Sequence, residues 1–293
     1  MTKEILTRPE EIKAVIRLAR GAQLPLSRPL VMGILNCTPD SFSDGGKFVS
    51  VETAIAHARI MISEGADMVD IGGESSRPGA DPVSCEDELA RVIPVIEAIR
   101  SDSDIPISID TYKAEVARVA LTAGADMVND ISALRFDDKM AGTVAAFGAP
   151  VILMHMLGTP RNMQIDPQYD DCVGEIDAFF DERIRYASDR GIDKSRIILD
   201  PGIGFGKRLA DNIDILANLR RFTRFGLPVL LGASRKSFIG MLHPSNTGAD
   251  ARLGGSLAAA VTGVLNGAAI VRVHDVGPTV EALKVVQAVR ILP

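Results

Sequence analysis

Short apolar runs rich in β-branched residues alternate along this chain with longer amphipathic stretches, and the alternation repeats eight times. A repeated β-then-α order demands parallel strands joined by right-handed crossovers. Eight such units in 293 residues match the strand number of a (β/α)8 barrel, a fold that runs near ~250 residues as one domain. We therefore predict an α/β fold, a single-domain (β/α)8 TIM barrel over residues 30–293. An open doubly wound sheet is the alternative, since periodicity alone does not prove that the sheet closes.

The eight predicted strands are short and evenly spread along the chain. They are Leu30–Asn36, Met68–Ile71, Ile105–Asp110, Met127–Ile131, Val151–His155, Ile197–Asp200, Val229–Gly232 and Ile270–His274. Helical patterns lie between them, for example over Val51–Ser63, Glu86–Ile99 and Lys113–Ala123, and Thr111 is a candidate cap for the third of these. Residues 1–29 precede the first strand, and we expect them to form a short helical extension over the bottom of the barrel.

Composition excludes several classes of function. The net charge is 32 − 38 = −6, aromatic residues make up 4% of the chain and there is no Trp, which argues against a nucleic-acid partner. No stretch approaches ~18 uncharged apolar residues, so no membrane span is expected. The charged N-terminus lacks the apolar region of a secretory signal, and three irregularly spaced cysteines form neither a disulfide framework nor a metal motif. We expect a cytoplasmic protein.

Polar residues lie at the ends of most predicted strands. They are Asn36, Asp110, Asn129, Asp130, His155, Asp200, Arg272 and His274. Barrel enzymes place their chemistry at the C-terminal ends of the strands, and a buried charge there costs several kcal/mol unless it is paired or solvated. We therefore predict one polar pocket at the barrel mouth. Any single residue of the set has an alternative explanation as a helix cap or a buried ion pair.

The charges of this set are segregated. Acceptors and amides come from the middle strands, whereas Lys236, Arg272 and His274 bring positive charge from the last two. Arg272 and His274 are two residues apart, so on a strand they face the same side. Loops after strands seven and eight of barrels often bind phosphate. The pattern predicts a bipartite ligand, with a phosphate ester at one end and a ring rich in N–H donors, such as a pterin or guanine, at the other.

Three loops between these elements have unusual compositions. Asn36–Gly46 is rich in turn formers and is at most a weak site for a hard cation, and Gly72–Gly79 combines glycines with one arginine. Asp200–Lys207 resembles a phosphate cradle, but its glycine spacing fits neither a Walker A loop nor the dinucleotide fingerprint. His155 has no partner spaced to complete a metal site, so we expect it in the pocket wall. Lys236 suits anion contact better than a Schiff base.

Together these segments resemble the dihydropteroate synthase family, in the family's order, from about Leu30 to the C-terminus. The matching segments are Met32–Gly46, Asp70–Gly79, Ser108–Thr111, Val128–Ile131, Leu153–Met156, Asp200–Lys207, Gly232–Ser237 and Arg272–His274. The resemblance implies condensation of 6-hydroxymethyl-7,8-dihydropterin diphosphate with 4-aminobenzoate to give 7,8-dihydropteroate and diphosphate, in folate biosynthesis. It also implies a homodimer, for which the Ala-, Gly- and Val-rich helices after strands seven and eight would form an apolar interface.

The resemblance further implies a role for individual residues. Asn36 would help to bind Mg²⁺ with the diphosphate, and Arg272 and His274 would bind the diphosphate itself. The pterin would be lined by Asp110, Asn129, Asp200 and Lys236, and the aminobenzoate by Ser76, Arg77, Pro78, Phe205 and Ser237. The remaining substrate-binding positions are Ile131, Met154, Gly232 and Val273. The catalytic group would comprise Asp110, Asp200, Lys236, Arg272 and His274.

Two departures from the family pattern and two rival functions remain open. Ser76 stands where the family commonly has Thr, which keeps the hydroxyl but changes packing against the aminobenzoate, and Ile203 replaces a common Phe. A pterin-binding methyltransferase that acts on methyltetrahydrofolate with a corrinoid partner would share the pterin pocket, yet would have no use for a magnesium–diphosphate cradle. A non-catalytic pterin-binding homologue would bind the substrates without releasing diphosphate.

Overall fold

β-Strands and α-helices alternate along the chain as the sequence predicts. The structure is a computed structural model that describes residues 15–38, 47–76, 79–243 and 248–291. The strands are β1 Val15–Arg17, β2 Gln23–Pro25, β3 Leu30–Asn36, β4 Met68–Gly72, β5 Ile107–Asp110, β6 Met127–Asp130, β7 Val151–Met154, β8 Ile197–Asp200, β9 Leu230–Leu231 and β10 Ile270–Val273. The helices are α1 Lys47–Ser63, α2 Cys85–Asp102, α3 Ala114–Ala123, α4 Met140–Phe147, α5 Cys172–Asp189, α6 Leu209–Ala217, α7 Ser237–Met241, α8 Leu253–Leu265 and α9 Val276–Ile291.

Strands β3 to β10 form one parallel sheet that closes on itself. Neighbours in sequence pair from β3 to β8, and β10 lies between β3 and β9. A parallel bridge between Leu199 and Val229 joins the remaining edges, β8 and β9. The (β/α)8 TIM barrel is confirmed, and the open doubly wound sheet is wrong. Every predicted barrel strand is found, with its ends displaced by at most two residues.

Alternation of side chains along each strand builds two cores. One face of each barrel strand points outward to the helices, as Val31, Val69 and Val271 do. The other face points into the barrel, where apolar residues near the strand starts fill the bottom. This inner set comprises Leu30, Met32, Met68, Met127, Ile152, Ile198, Leu230 and Ile270, together with Ile16 and Leu18. Polar residues of the same inward face come later in the strands, so the strand register places them above an apolar floor.

The first described segment is a β-hairpin, and the expectation of a helix is wrong for residues 15–29. Strand β1 pairs antiparallel with β2, with Ile16 opposite Leu24. Ile16 and Leu18 are buried whereas Val15 and Arg17 are exposed, an alternation with the period of a strand. This alternation lets the hairpin place the side chains of Ile16 and Leu18 on the floor of the barrel. Residues 1–14 lie outside the described part of the chain.

The helix expected after the third barrel strand begins at Ala114, and Thr111 does not cap it. Its N-cap residue is Lys113, whose N–H donates to the Thr111 hydroxyl at 3.1 Å. The first unpaired N–H of the helix, that of Ala114, donates instead to Asp137 at 2.8 Å. Thr111 therefore closes the turn that leads into the helix.

Among the described residues, no helix combines the length and apolar character needed to cross a membrane.

Candidate active site

A polar layer spans the barrel interior just below its mouth. The register places Asn36 beside Gly72, Gly72 beside Asp110, and Asp110 beside Asn129. Inward-facing positions at one level of neighbouring parallel strands share one space. The structure thus brings together strand-end residues from β3, β5 and β6, as the sequence predicts.

Arg272 crosses this layer and bonds two acids. Its Nε donates to Asp70 Oδ2 and its Nη2 to Asp110 Oδ2, both at 2.6 Å. Asn129 donates from Nδ2 to the same oxygen of Asp70 at 2.9 Å. Sequence reasoning missed Asp70, although a carboxylate inside the apolar strand Met68–Gly72 was a signal for it. Its side chain is 0% exposed, so it acts from beneath the pocket.

Charge in this cluster is unbalanced, since two carboxylates share one guanidinium. Burial acts to lower the pKa of Arg272, but Asp70 and Asp110 together raise it above its ordinary value. Burial raises the pKa of Asp110, and the charge of Arg272 opposes this only in part. Arg272 is therefore firmly charged, whereas ionisation of Asp110 is disfavoured by the second acid beside it.

Asp200 ends β8 on the opposite side of the pocket. Its Oδ1 accepts the N–H of Gly202 at 2.7 Å, in a turn that returns to the barrel wall. Gly202 has φ +68°, and a Cβ built there would lie 2.0 Å from the carbonyl oxygen of His155, so only glycine fits. Burial raises the pKa of Asp200, and the charge of Lys236 opposes that rise.

Lys236 reaches the pocket from the turn before α7. Its ammonium donates to the carbonyl of Ile203 and lies 4.3 Å from the centre of the Phe205 ring. Burial lowers its pKa to about 7, with Asp200 opposing the shift. Ser237 follows as the first residue of α7. Gly232 lies between the two halves of the site, because a Cβ there would be 3.9 Å from both Arg272 Cβ and Asp200 Oδ2.

The three cations predicted as one cluster have different partners. Lys236 contacts the turn after β8, and Arg272 contacts the acids of β4 and β5. The ring of His274 lies 3.1 Å from the Ser234 hydroxyl through Nδ1. Val273 packs in the core between the strands and the helices, so only its backbone can face a ligand. Strand alternation explains this, since Arg272 on the inward face sends its neighbour outward.

An apolar wall completes the pocket. Ile131, Met154 and Phe205, which the resemblance assigns to the substrates, lie in one apolar cluster. The cluster also contains residues that sequence reasoning missed, namely Met156, Met163 and Tyr112. Apolar residues beside a few polar groups are typical of pockets for flat aromatic ligands.

Ser76 lines a small open cleft beside Asp110. Lys113 pairs there with Glu74 and with the buried Glu88, and Tyr112 donates to Glu74 at 2.8 Å. The loop that carries Ser76 is therefore attached, at its start, to the residues that follow β5. Arg77 and Pro78 fall outside the described residues.

Asn36 and His155 have different surroundings. Asn36 ends β3 half-buried, and its side chain makes no hydrogen bond with a described residue. Within the described ranges, no group of three acidic, His or Cys side chains is arranged to bind a metal. His155 is buried, with Nδ1 3.0 Å from Lys207 Nζ and its ring edge-on to Phe179. Burial lowers its pKa, and the charge of Lys207 lowers it further.

Comparison with known proteins identifies relatives of this chain by sequence and by fold. The sequence pattern of the family described as "Pterin binding enzyme" matches residues 32–274. The chain is 52% identical over 270 residues to the dihydropteroate synthase of Escherichia coli strain K12, covering 92% of this chain and 95% of that protein. It is 50% identical over 261 residues to the dihydropteroate synthase of Synechocystis sp., covering 89% and 90%.

Solved structures agree with these relatives. The structure of Xanthomonas albilineans dihydropteroate synthase with 4-aminobenzoic acid superposes with a TM-score of 0.90 at 49% sequence identity. The match covers 96% of this chain and 100% of that chain. The same enzyme in complex with 7,8-dihydropteroate gives 0.87 at 47% identity, covering 95% and 100%. The Yersinia pestis enzyme in a sulfonamide complex gives 0.88 at 49% identity, covering 93% and 98%. Family pattern, sequence identity and fold agree over most of the chain, which therefore belongs to the pterin binding enzymes and, within them, to the dihydropteroate synthases.

Proposed function

We propose that this enzyme condenses 6-hydroxymethyl-7,8-dihydropterin diphosphate with 4-aminobenzoate to give 7,8-dihydropteroate and diphosphate, a step of folate biosynthesis. The observation that carries the proposal is the arrangement of Asp110, Asn129 and Asp200 around one pocket whose cations are Lys236 and Arg272. Acids and an amide suit the several N–H donors of a pterin, and cations suit a diphosphate.

Recognition of the pterin falls to the polar layer. Asp110 and Asp200 offer carboxylate oxygens, and Asn129 offers an amide that Asp70 already orients. Ile131, Met154 and Phe205 supply the flat apolar wall for the ring. An amide held by a buried carboxylate keeps one orientation, which favours a ring with a fixed order of donors and acceptors.

Departure of the diphosphate places negative charge on the leaving group. Arg272, Lys236 and His274 are the positive groups and donors that we assign to this charge, and Arg272 stays charged between its two acids. Fixed positive groups aimed at developing negative charge lower the barrier without rearranging during the reaction. The ring delocalises positive charge at the methylene, so we propose an SN1-like loss in which Asp110 and Asp200 stabilise the cation.

No strong base is needed for the second half of the reaction. The arylamine is neutral at pH 7 and attacks with its lone pair, so the proton can leave afterwards to solvent or to diphosphate. Ser76, Phe205 and Ser237 are the described residues that we assign to the aminobenzoate, together with Arg77 and Pro78. Their side chains would orient the amine and exclude the water that competes for the cation.

Mg²⁺ is the cofactor that we propose for the diphosphate. Asn36 would hold it through its amide oxygen, and the absence of a three-ligand cluster among the described residues fits an ion that takes its other ligands from phosphate oxygens and water. When bound there, Mg²⁺ neutralises charge on the diphosphate. We expect Asn36→Ala to raise the Mg²⁺ concentration needed for half-maximal turnover.

We also propose a cytoplasmic homodimer. The outer faces of α8 and α9 carry exposed apolar side chains, among them Leu265 at 45%, Val285 at 62% and Val289 at 65%. Adjacent helices with such faces favour association with a second copy. The three cysteines are free thiols, which suits a reducing compartment. Light scattering at increasing protein concentration would measure the mass, and a strict monomer would refute the dimer.

Turnover by the purified protein tests the proposal. With both substrates and Mg²⁺, we expect equal amounts of dihydropteroate and diphosphate, and none when either substrate is omitted. Binding of the pterin diphosphate without release of diphosphate would identify a non-catalytic homologue. Methyl transfer from methyltetrahydrofolate to a corrinoid protein would identify the rival enzyme. Sulfonamides, as aminobenzoate mimics, should inhibit; unchanged rates at saturating drug would place Ser76 and its neighbours elsewhere.

A further inference from the structure

Lys207, the last residue of the turn after β8, is buried without an acid partner. The residue is 3% exposed, and no carboxylate in the described part of the chain forms an ion pair with it. Burial lowers its pKa to about 7. Fully buried lysines are rare, and an unpaired one destabilises the fold unless its hydrogen bonds are made. The residues around it explain why it is tolerated.

Three acceptors surround the ammonium of Lys207, which has three N–H donors. They are His155 Nδ1 at 3.0 Å, the carbonyl of Phe205 at 3.1 Å and the carbonyl of His155 at 3.3 Å. This set is satisfied only when His155 is neutral with its proton on Nε2. The lowered pKa of His155 agrees with that state. Lys207 thus ties the end of β7 to the turn after β8.

That turn is rich in glycine. Gly202, Gly204 and Gly206 all have positive φ, at +68°, +79° and +64°, and glycine restricts the backbone least. The N–H groups of Gly202, Gly204 and Phe205 donate to Asp200, Asn212 and the carbonyl of Gly202. Side-chain donors to the carbonyls of the turn add to this order. The donors reaching the carbonyls of residues 203 to 206 are, in turn, Lys236, Gln164, Lys207 and Tyr169.

The carbonyl that Lys207 holds belongs to Phe205, whose ring is part of the site. The ring lies under the Lys236 ammonium and packs with Ile131 and Met154. Among the described residues, Lys207 forms no hydrogen bond with these side chains and reaches Phe205 through its backbone carbonyl. Burial raises the pKa of Asp200, and the charge of Lys207 is one of those that oppose this rise, so Lys207 also acts on the site electrostatically.

We propose that Lys207 is a positioning residue that fixes the turn 200–207 and, through it, the Phe205 ring against which the aminobenzoate binds. This inference rests on the proposed function for the identity of the ligand. Of the residues assigned to the pterin, Asp110 and Asn129 lie on other strands, and Asp200 is the last residue of β8 and is also held by the N–H of Gly202. We therefore expect binding of the pterin to change less than binding of the aminobenzoate.

Lys207→Met tests this separation, because it keeps most of the length of the side chain and removes the donors. We expect the KM for 4-aminobenzoate, at saturating pterin diphosphate, to rise about 10-fold, a typical effect of misplacing a substrate-positioning group. The dissociation constant of the pterin diphosphate should stay within about threefold of wild type. An unchanged KM for aminobenzoate would overturn the proposal.

Two controls separate positioning from loss of stability. Phe222→Leu weakens the fully buried core beneath α5 and should leave both substrate constants unchanged, and Lys194→Met makes the same replacement on the surface. If Lys207→Met behaves like Phe222→Leu, Lys207 is merely structural. If Lys207→Met does not fold, Lys207→Gln, a shorter neutral donor, should give a smaller rise in the same KM, and no rise would count against the proposal.

Amide hydrogen exchange tests the turn independently of any activity. In the ligand-free protein, Lys207→Met or Lys207→Gln should speed exchange in residues 202–206 while the strands exchange as in wild type. Equal exchange in this turn would refute the positioning role even if the enzyme is active. Absence of turnover by the wild-type protein would instead refute the proposed function and leave the exchange result to decide about Lys207.

Discussion

Removal of Asp70 is the sharpest perturbation of the polar layer, because one buried oxygen holds two functional side chains. Asp70 Oδ2 accepts Arg272 Nε at 2.6 Å and Asn129 Nδ2 at 2.9 Å. Asp70→Ala removes both hydrogen bonds and leaves Asp110 as the acid bonded to Arg272. The change in the free energy of unfolding is the loss of these two hydrogen bonds, offset in part by relief of the repulsion between Asp70 and Asp110.

Two hydrogen bonds to a charged group are each worth about 1.5–3 kcal/mol. Relief of the repulsion between Asp70 and Asp110 offsets part of that loss, since Asp70 helps to raise the pKa of Asp110. We therefore expect the free energy of unfolding to fall by about 3 kcal/mol, near the lower end of the range for breaking a buried ion pair. Asp70→Asn keeps an acceptor oxygen and should lose about half as much.

Urea unfolding and steady-state kinetics measure the two consequences. With a denaturant slope of about 3 kcal/mol/M, the midpoint of Asp70→Ala should move down by about 1 M. Because Arg272 and Asn129 lose their common support, kcat/KM for the pterin diphosphate should fall by about 100-fold. Asp102→Ala is the matched control, since Asp102 pairs with Arg59 on the surface. A midpoint and kcat/KM equal to wild type in Asp70→Ala would refute the role of Asp70.

Three further predictions concern titratable groups. Asp200→Asn should lower pterin affinity or turnover by about 10-fold or more, as loss of a buried charged hydrogen bond costs about 1.5–3 kcal/mol, and near-wild-type kinetics would remove Asp200 from the site. Because burial lowers the pKa of Lys236 to about 7, its positive charge is present below that pH and lost above it. We expect kcat/KM for the pterin diphosphate to fall as the pH rises through 7, and Lys236→Arg to remove this fall. The same fall in Lys236→Arg would assign the pH dependence to another group. Burial raises the pKa of Cys37 and Cys172 to about 12, so roughly one in ten thousand of these thiols is ionised at pH 8. A disulfide reagent should therefore modify only the half-buried Cys85 in the native protein. Rapid reaction of all three cysteines would contradict the burial of Cys37 and Cys172.

Expectations drawn from local pattern were accurate where the pattern reflects a single strand. Leu30–Asn36 and Ile197–Asp200 are found with the predicted ends, because an apolar run closed by a polar residue marks where a barrel strand leaves the core. The hairpin at residues 15–25 was not predicted. Its buried residues, Ile16 and Leu18, pack on the floor of the barrel, which is built from strands that are distant in sequence.

The partners of individual charges do not follow from the strand pattern. Arg272 and His274 lie two residues apart on one strand, yet Arg272 reaches across the barrel to Asp70, whereas the ring of His274 lies beside the Ser234 hydroxyl. A side chain of that length has several acids within reach. The one that it bonds depends on strands that lie far away in sequence.

The sequence by itself determined that the chain forms eight parallel strands with a polar mouth, because both properties follow from residue alternation within short segments. Only the tertiary structure decided which polar groups meet. Arg272 and Asp70 are 202 residues apart, and Lys207 and His155 are 52 apart. Their meeting depends on the stagger of the closed sheet, which sets the height of every inward-facing side chain and which no local segment encodes.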